Sequence, residues 1–303
     1  MQLRSVLFAT RPEYYWVSLL LFLGIVLVVV LCWKRVDFVH EGFQQEQPYL
    51  YVDQVYSDPL YISMYNRLML PADILDNITG QVVEMTQPSI NKSTLLDLGS
   101  GTGTLSAKLA KKGLTVYGVD KSQAMIESSN KNYGEIPTLQ FKEGDFLEPM
   151  LWESGSFSHI LCTGFTLYML EDKRRLLENS FHWLRPGGYL IVQLVDPDKF
   201  QTIIPGGRPP IPVQSSERIV NTVIDFVDFE YKASFKQEGS NMHLHESFVD
   251  GLTKNVRQLE QTLSMLPVRD VLVMAVRCGF QGQGYVEMKH DPHQYLYVFV
   301  KPA

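Results

Sequence analysis

The chain has 303 residues, of which 45% are hydrophobic and 20% are charged, and its formal net charge is −6. This composition excludes a mainly disordered chain, which would contain fewer apolar residues and more net charge. Three cysteines are too few for a disulfide scaffold or a zinc module built on paired cysteines. Because nucleic-acid-binding proteins normally have a basic surface, the acidic balance predicts no nucleic-acid partner.

A transmembrane helix is predicted over residues 16–33, after an amino-terminal tail over residues 1–15. The helix segment contains no charged residue, and at about 1.5 Å of rise per residue it would span roughly 27 Å, close to the hydrocarbon thickness of a bilayer. A cleaved signal peptide, the alternative, has a shorter apolar core and a small-residue cleavage site, which Cys32-Trp33 does not provide. We therefore expect a single-pass membrane protein that contacts the bilayer through residues 16–33.

After a linker over residues 34–48, residues 49–303 are predicted to form one α/β domain. Its first part, up to about residue 90, is expected to contain one or two helices. From Thr94 to Val195, short apolar strands alternate with amphipathic helices. Such alternation is typical of a parallel sheet that is covered by helices on both faces.

The carboxyl-terminal part departs from this alternation. An insert over about residues 197–250 begins with a segment rich in proline and glycine and continues with two strand-like runs, which predict an antiparallel hairpin. Helices are expected over about residues 256–266 and over residues 268–278. Strands over residues 284–289 and 294–300 close the chain, and a closing hairpin on a parallel sheet is a common mixed-sheet arrangement.

The sharpest local motif is a glycine-rich loop after the first apolar strand of the alternation. Gly99, Gly101 and Gly103 occupy alternate positions just before a predicted helix. Glycine allows a tight turn and the close approach of a ligand to the backbone, and the helix amino terminus favours an anionic or hydrogen-bonding group. The third glycine comes one residue earlier than in the dinucleotide-binding pattern Gly-x-Gly-x-x-Gly.

Acidic residues follow the next two predicted strands. Asp120 closes the second strand, about 20 residues after Gly99, which is the spacing at which an acid bonds ribose hydroxyls. Asp145, with Phe146 beside it, follows the third strand. Because ligands of open α/β sheets bind at the carboxyl ends of the strands, these residues predict one shared binding crevice.

These motifs, together with the sequence Leu-Arg-Pro-Gly-Gly over residues 184–188, resemble the successive motifs of class I S-adenosylmethionine-dependent methyltransferases. The resemblance covers roughly residues 50–303. It implies a doubly wound, Rossmann-like sheet of seven mostly parallel strands with an antiparallel carboxyl-terminal hairpin, preceded here by the transmembrane helix. It also implies S-adenosylmethionine as the cofactor and methyl transfer as the activity.

The same resemblance implies a set of cofactor-binding residues. They are Asp97, Gly99, Ser100, Gly101, Gly103, Asp120, Lys121, Ser122, Asp145, Phe146 and Thr163. Asp97, the glycine loop and Thr163 would contact the methionine part, and Asp120 would take the ribose hydroxyls. Asp145 would bond the adenine amino group, and Phe146 would flank the ring.

Catalytic residues are less well defined by the sequence. A sulfonium methyl is already activated, so alignment can supply much of the rate and a general base is needed only for a protonated acceptor. Tyr168, His243 and His245 are the candidates, each with ordinary packing or surface exposure as the alternative. No metal is expected, because no third ligand accompanies the two histidines.

The acceptor is predicted to be a small molecule, a lipid or a membrane protein, since the anchor would hold the enzyme at a membrane. We expect the catalytic domain on the cytosolic side, where the cofactor is made. Two other functions remain open: a non-catalytic, membrane-tethered binding or scaffold protein on the same fold, and an NAD(P)-dependent oxidoreductase. The second has a Tyr-x-x-x-Lys match at Tyr117 and Lys121, but this match lies on the second strand.

Overall fold

The computed structural model describes residues 23–26, 49–52, 54–208 and 218–303. Residues 23–26 are helical. Within these ranges, no helix has both the length and the apolar character needed to cross a membrane. The rest of the predicted span over residues 16–33, the tail and the linker lie outside the described residues. The chain divides into a unit over residues 1–46 and a unit over residues 47–303, and every element named below belongs to the second unit.

The second unit contains strands and helices in alternation, followed by a run of strands. The strands are β1 (Tyr49–Val52), β2 (Thr94–Leu98), β3 (Thr115–Asp120), β4 (Leu139–Glu143), β5 (Phe157–Cys162), β6 (Leu184–Val195), β7 (Asn221–Asp225), β8 (Phe229–Glu238), β9 (Asn241–Asp250), β10 (Val256–Ser264), β11 (Gln281–Met288) and β12 (Asp291–Val300). The helices are α1 (Pro59–Met69), α2 (Ala72–Thr86), α3 (Thr104–Ala110), α4 (Gln123–Tyr133), α5 (Lys173–Trp183) and α6 (Val268–Arg277).

Seven strands form the main sheet in the order β11-β12-β6-β5-β2-β3-β4. The five strands from β6 to β4 are parallel, whereas β12 runs antiparallel to β6 and to β11. The predicted seven-stranded, mostly parallel sheet with an antiparallel terminal hairpin is therefore confirmed. The chain leaves β2 towards one edge and returns through β5 towards the other, so the loop after β2 lies at the point where the strand order reverses, the usual ligand position in such sheets.

Apolar residues cover both faces of this sheet. Ile160 and Leu190 belong to a buried cluster on one face, and the residues that follow them, Leu161 and Ile191, belong to a second buried cluster on the other. Successive side chains of a strand point to opposite faces, so a strand that is buried on both sides must be apolar at every position. This requirement explains the continuous apolar runs in the sequence.

A second sheet of five strands has the order β1-β10-β9-β8-β7. The predicted insert supplies β7, β8 and β9, but the expected helix over residues 256–266 is wrong, because residues 256–264 form β10. Its apolar residues Val256, Leu259 and Leu263 have helical spacing, yet all nine residues of β10 pair with β9. Long-range pairing has overridden the local pattern here. The strand β1, which pairs with β10, was not expected either.

Candidate active site

The glycine-rich loop joins β2 to α3 and is tied to the end of β3. The backbone nitrogens of Gly99 and Ser100 both donate to the carbonyl oxygen of Val119, at 2.9 and 3.0 Å. The nitrogen of Gly101 donates to Asp120 Oδ2 at 2.9 Å. Gly99, Gly101 and Gly103 have left-handed φ angles of 67°, 54° and 76°, a conformation that side chains with a Cβ disfavour. The loop conformation therefore depends on glycine at these positions.

Asp120 lies at the centre of the crevice. Its second oxygen, Oδ1, accepts from the backbone nitrogen of Ser122 at 2.9 Å. Ser122 caps α4, because its Oγ accepts from the nitrogen of Met125 at 3.1 Å, and the same hydroxyl donates to the carbonyl oxygen of Tyr56 at 2.6 Å. Burial raises the pKa of Asp120, although the bonds from Ser122 and Gly101 oppose the rise.

Asp145 follows β4 and faces the same edge. Its Oδ1 accepts from the nitrogen of Leu147 at 2.9 Å, and its Oδ2 accepts from Lys121 Nζ at 3.1 Å. Burial acts to raise the pKa of Asp145, but these two bonds outweigh it and lower the pKa overall. Phe146 is buried beside it. The structure thus brings Gly101, Asp120, Lys121 and Asp145 together, in one chain of contacts.

Asp97 is the buried carboxylate of the site. It lies on β2, two residues before Gly99, and its Oδ2 accepts from Ser106 Oγ at 2.6 Å. Burial raises the pKa of Asp97 to about 7, and the bond from Ser106 opposes this rise. Ser100 presents a buried Oγ that has no hydrogen-bond partner among the described residues. Thr163, at the end of β5, accepts from Thr166 Oγ1 at 2.7 Å through its carbonyl oxygen.

Three tyrosines from the first segment of the domain cover the glycine loop. The rings of Tyr56, Tyr61 and Tyr65 pack edge to face, with centroids 5.9 to 6.4 Å apart. A Cβ built on Gly101 would meet the Tyr65 ring at 3.6 Å and nothing closer, so Tyr65 lies directly over the loop. Tyr56 donates to Gln261 Oε1 on β10 at 2.6 Å. The second sheet is therefore joined to the crevice.

A buried polar network extends from Gln261 into the second sheet. Gln261 Nε2 donates to Glu246 Oε2 at 2.8 Å, and Tyr231 donates to Glu246 Oε1 at 2.5 Å. Burial raises the pKa of Glu246 to about 7, while these hydrogen bonds oppose the rise. Glu246 was not predicted from the sequence, although a signal existed: it is an acid at an inward position of β9, between the apolar residues Leu244 and Phe248.

A cavity of about 90 Å³ adjoins the crevice. Its walls come from α1, α2, the ends of β5 and β6, the segment after β6 and the second sheet, and they are mostly apolar. Ligand sites are typically concave and apolar with a few placed polar groups. Tyr65, which lies over the glycine loop, and Gly164, which follows Thr163, also line this cavity.

The structure places none of the three catalytic candidates on this cavity. Tyr168 is fully buried, and its hydroxyl accepts from the nitrogen of Val195 at 2.9 Å. His243 and His245 lie on β9 at positions that alternate with the buried ones, so they face outward, where His245 lies 3.7 Å from Glu260. The catalytic assignment of these residues stays a prediction without geometric support.

Known proteins are similar to the part of the chain that contains the glycine loop, Asp120 and Asp145. Residues 95–188 match the model of a family described as a methyltransferase domain. Trans-aconitate 2-methyltransferase of Deinococcus radiodurans is 40% identical over 102 residues, which cover 33% of this chain and 37% of that protein. Demethylmenaquinone methyltransferase of Chlorobaculum tepidum is 36% identical over 104 residues, which cover 33% of this chain and 41% of that protein. The chain thus spans about two fifths of the length of these curated relatives.

The fold has counterparts among solved structures over a longer range. An S-adenosylmethionine-dependent methyltransferase from Clostridium acetobutylicum superimposes with a TM-score of 0.61, over 80% of this chain and 98% of that one. The two sequences are only 18% identical, so this likeness shows a shared fold alone. It extends beyond residues 95–188 to most of the second unit.

Proposed function

We propose that this chain, whose residues 95–188 match the model of a methyltransferase domain, is an S-adenosylmethionine-dependent methyltransferase that acts on a small-molecule acceptor. The observation that carries the proposal is the convergence of the glycine loop, Asp120 and Asp145 on one edge of the sheet, where the Gly101 nitrogen and Asp120 Oδ2 lie 2.9 Å apart. An adenosyl ligand needs these groups together, because its ribose, adenine and amino-acid parts are recognised at successive strand ends.

The groups present fit the cofactor. Gly101 leaves space in front of the loop backbone, since a Cβ there would meet only the ring of Tyr65 within 4 Å. The Oγ of Ser100 is buried without a hydrogen-bond partner among the described residues and faces β3, because a Cβ on Gly118 would lie 2.8 Å from it; the fit therefore rests on the loop backbone and the two acids. Asp120 and Asp145 can accept hydrogen bonds from the hydroxyl and amino groups of such a cofactor.

When bound, S-adenosylmethionine supplies a methyl group already activated on a sulfonium. Asp120 would accept hydrogen bonds from the two ribose hydroxyls. These bonds would replace the one that it accepts from the Gly101 nitrogen. Asp97, held by Ser106, would place a negative charge near the cationic part of the cofactor. Because that positive charge favours the carboxylate, cofactor binding would lower the raised pKa of Asp97.

The acceptor would occupy the adjoining cavity, with the tyrosines over the loop excluding water. Tyr65 contacts both compartments, so it marks the boundary at which the methyl group and the acceptor meet. Burial raises the pKa of Tyr65 well above its ordinary value, which keeps its phenol protonated and unsuited to act as a base at neutral pH. Holding the two reactants in line then supplies most of the catalysis that this chain can offer.

The cofactor assignment is tested by thermal unfolding of the full chain with S-adenosylmethionine, S-adenosylhomocysteine or NAD. At a ligand concentration 100 times the dissociation constant, binding to the folded state adds about 2.7 kcal/mol of stability, hence roughly 5–10 °C for a domain of this size. We expect this shift with the two adenosyl ligands and none with NAD. A shift with NAD alone would support an oxidoreductase instead, and a shift without turnover on any acceptor pool would support the scaffold function.

We also propose that residues 16–33 anchor the enzyme in a membrane with its catalytic domain on the cytosolic side, where it meets a membrane-associated acceptor. The uncharged run of these residues and the apolar cavity support this proposal. In sealed vesicles with the cytosolic face outward, protease should remove a carboxyl-terminal tag and leave an amino-terminal tag protected. Protection of the carboxyl-terminal tag instead would overturn the orientation.

A further inference from the structure

One wall of the cavity contains an arginine with a buried nitrogen that lacks a hydrogen-bond partner among the described residues. Arg208 follows a short 3-10 helix over Pro205–Gly207, and its side chain lines the cavity. Its Nη1 is buried and has no hydrogen-bond partner among the described residues. A buried guanidinium nitrogen without an acceptor is costly, so the site is complete only when a ligand supplies one.

The backbone holds Arg208 in place on this wall. The Arg208 nitrogen donates to the carbonyl oxygen of Pro205 at 3.3 Å. Gly206 lies so close to α1 that a Cβ on it would be 2.1 Å from the carbonyl oxygen of Arg67. The acids that act on Arg208 through space are Asp291 and Asp73. The carboxylate of Asp291 already accepts hydrogen bonds, from the nitrogen of Gln201 at 2.7 Å and from other donors.

A row of hydrogen bonds determines which ring nitrogen of the neighbouring His290 carries the proton. The nitrogen of Gly164 donates to Gln193 Oε1 at 3.0 Å, Gln193 Nε2 donates to Gln294 Oε1 at 2.9 Å, and Gln294 Nε2 donates to Asp291 Oδ2 at 3.1 Å. This row settles the orientation of both amides. Since His290 Nε2 faces the accepting Gln294 Oε1 at 3.4 Å, it carries the proton, and Nδ1 keeps its lone pair.

His290 therefore contributes polarity and no charge. Its Nδ1 is buried without a hydrogen-bond partner among the described residues. Burial and the nearby charge of Arg208 lower the pKa of His290 to about 4, so it is neutral at pH 7. Arg208 is then the cation among these groups, and although Asp291 and Asp73 act on it through space, its Nη1 has no hydrogen-bond acceptor among the described residues.

The row of hydrogen bonds crosses three strands of the main sheet. Gly164 follows β5, Gln193 lies on β6 and Gln294 on β12, and these three strands are adjacent. The cavity walls also include Ile74, Ile78 and Ile204, which suit an apolar body.

We infer that Arg208 and His290 form a carboxylate-binding subsite, and that the acceptor is an apolar molecule with a carboxylate separate from the atom that is methylated. The inference rests on the proposed methyl transfer and names its substrate class. Arg208 would pair with the carboxylate, and His290 Nδ1 would accept a hydrogen bond from a hydroxyl next to it. The carboxylate anchors the acceptor and is itself not methylated.

The test uses hexanoate and its uncharged isostere hexanamide as probes of the full chain, with binding followed by ligand-observed nuclear magnetic resonance. A hydrogen bond to a charged group is the stronger kind, so Arg208→Met should weaken hexanoate binding by about 10- to 100-fold and hexanamide binding only a few-fold. Arg208→Lys should restore part of the hexanoate affinity. The control is Arg174→Gln, which removes an equal charge from the exposed surface and should change neither affinity.

A second measurement separates binding from folding. If Arg208 serves a ligand, Arg208→Met removes an unpaired buried charge, so the unfolding temperature of the ligand-free protein should stay level or rise. Equal binding of the two probes, or equal losses of both in Arg208→Met, would overturn the subsite. The shift with S-adenosylhomocysteine is recorded on the same samples: its absence counts against methyl transfer, whereas its presence with Arg208-independent hexanoate binding counts against the subsite alone.

Discussion

Replacing Asp120 by alanine is expected to weaken S-adenosylmethionine binding by about 100-fold or more. The ribose hydroxyls would lose two hydrogen bonds to a charged acceptor, each worth about 1.5–3 kcal/mol, and each 1.4 kcal/mol corresponds to a factor of ten in affinity. Isothermal titration calorimetry of the full chain measures the change directly.

The matched control for this change is Glu143→Ala. Glu143 stands opposite Asp120 in the register of β3 and β4, and it is exposed, so its loss should leave the affinity within about twofold, as for an ordinary surface substitution. Asp120→Asn keeps an oxygen acceptor for the backbone, so its affinity for the cofactor should lie between those of Asp120→Ala and Glu143→Ala. Affinity equal to that of the unaltered protein in Asp120→Ala would contradict the cofactor site, provided that the variant unfolds at a similar temperature.

The parts of the site that the sequence predicted are those that local chemistry dictates. The loop from Gly99 to Gly103 is recognisable because three positive φ angles within five residues demand glycine wherever the rest of the chain lies. Asp120 and Asp145 are recognisable because parallel strands end at one edge of the sheet. Residues that directly follow neighbouring strands in the sequence therefore lie close together in space. The family resemblance extended these local signals to an ordered set of motifs.

The second sheet could not be predicted in the same way. The segment that forms β10 has apolar residues at helical spacing, and its strand conformation comes from pairing with β9. Its inward position Arg257 is buried and bonds Asp58, 199 residues away in the chain, at 2.8 Å. A charged residue at a buried strand position hides the alternation that indicates a strand. Arg208 was missed for a related reason: only the folded cavity shows that it has no partner.

Gly103→Ala is expected to lower the free energy of unfolding by about 2–5 kcal/mol. The left-handed backbone costs a residue with a Cβ about 1–2 kcal/mol, and here the φ angle is 76°. Overpacking adds about 1–3 kcal/mol, because the new Cβ would lie 2.4 Å from the Phe141 ring and 2.8 Å from Ser129 Cβ. Gly187→Ala is the matched control: its φ is 73° but nothing lies within 4 Å of its Cβ, so only the backbone cost should remain. Urea unfolding of both variants measures the difference, and equal losses would show that the packing of Gly103 against α4 and β4 does not set the loop's position.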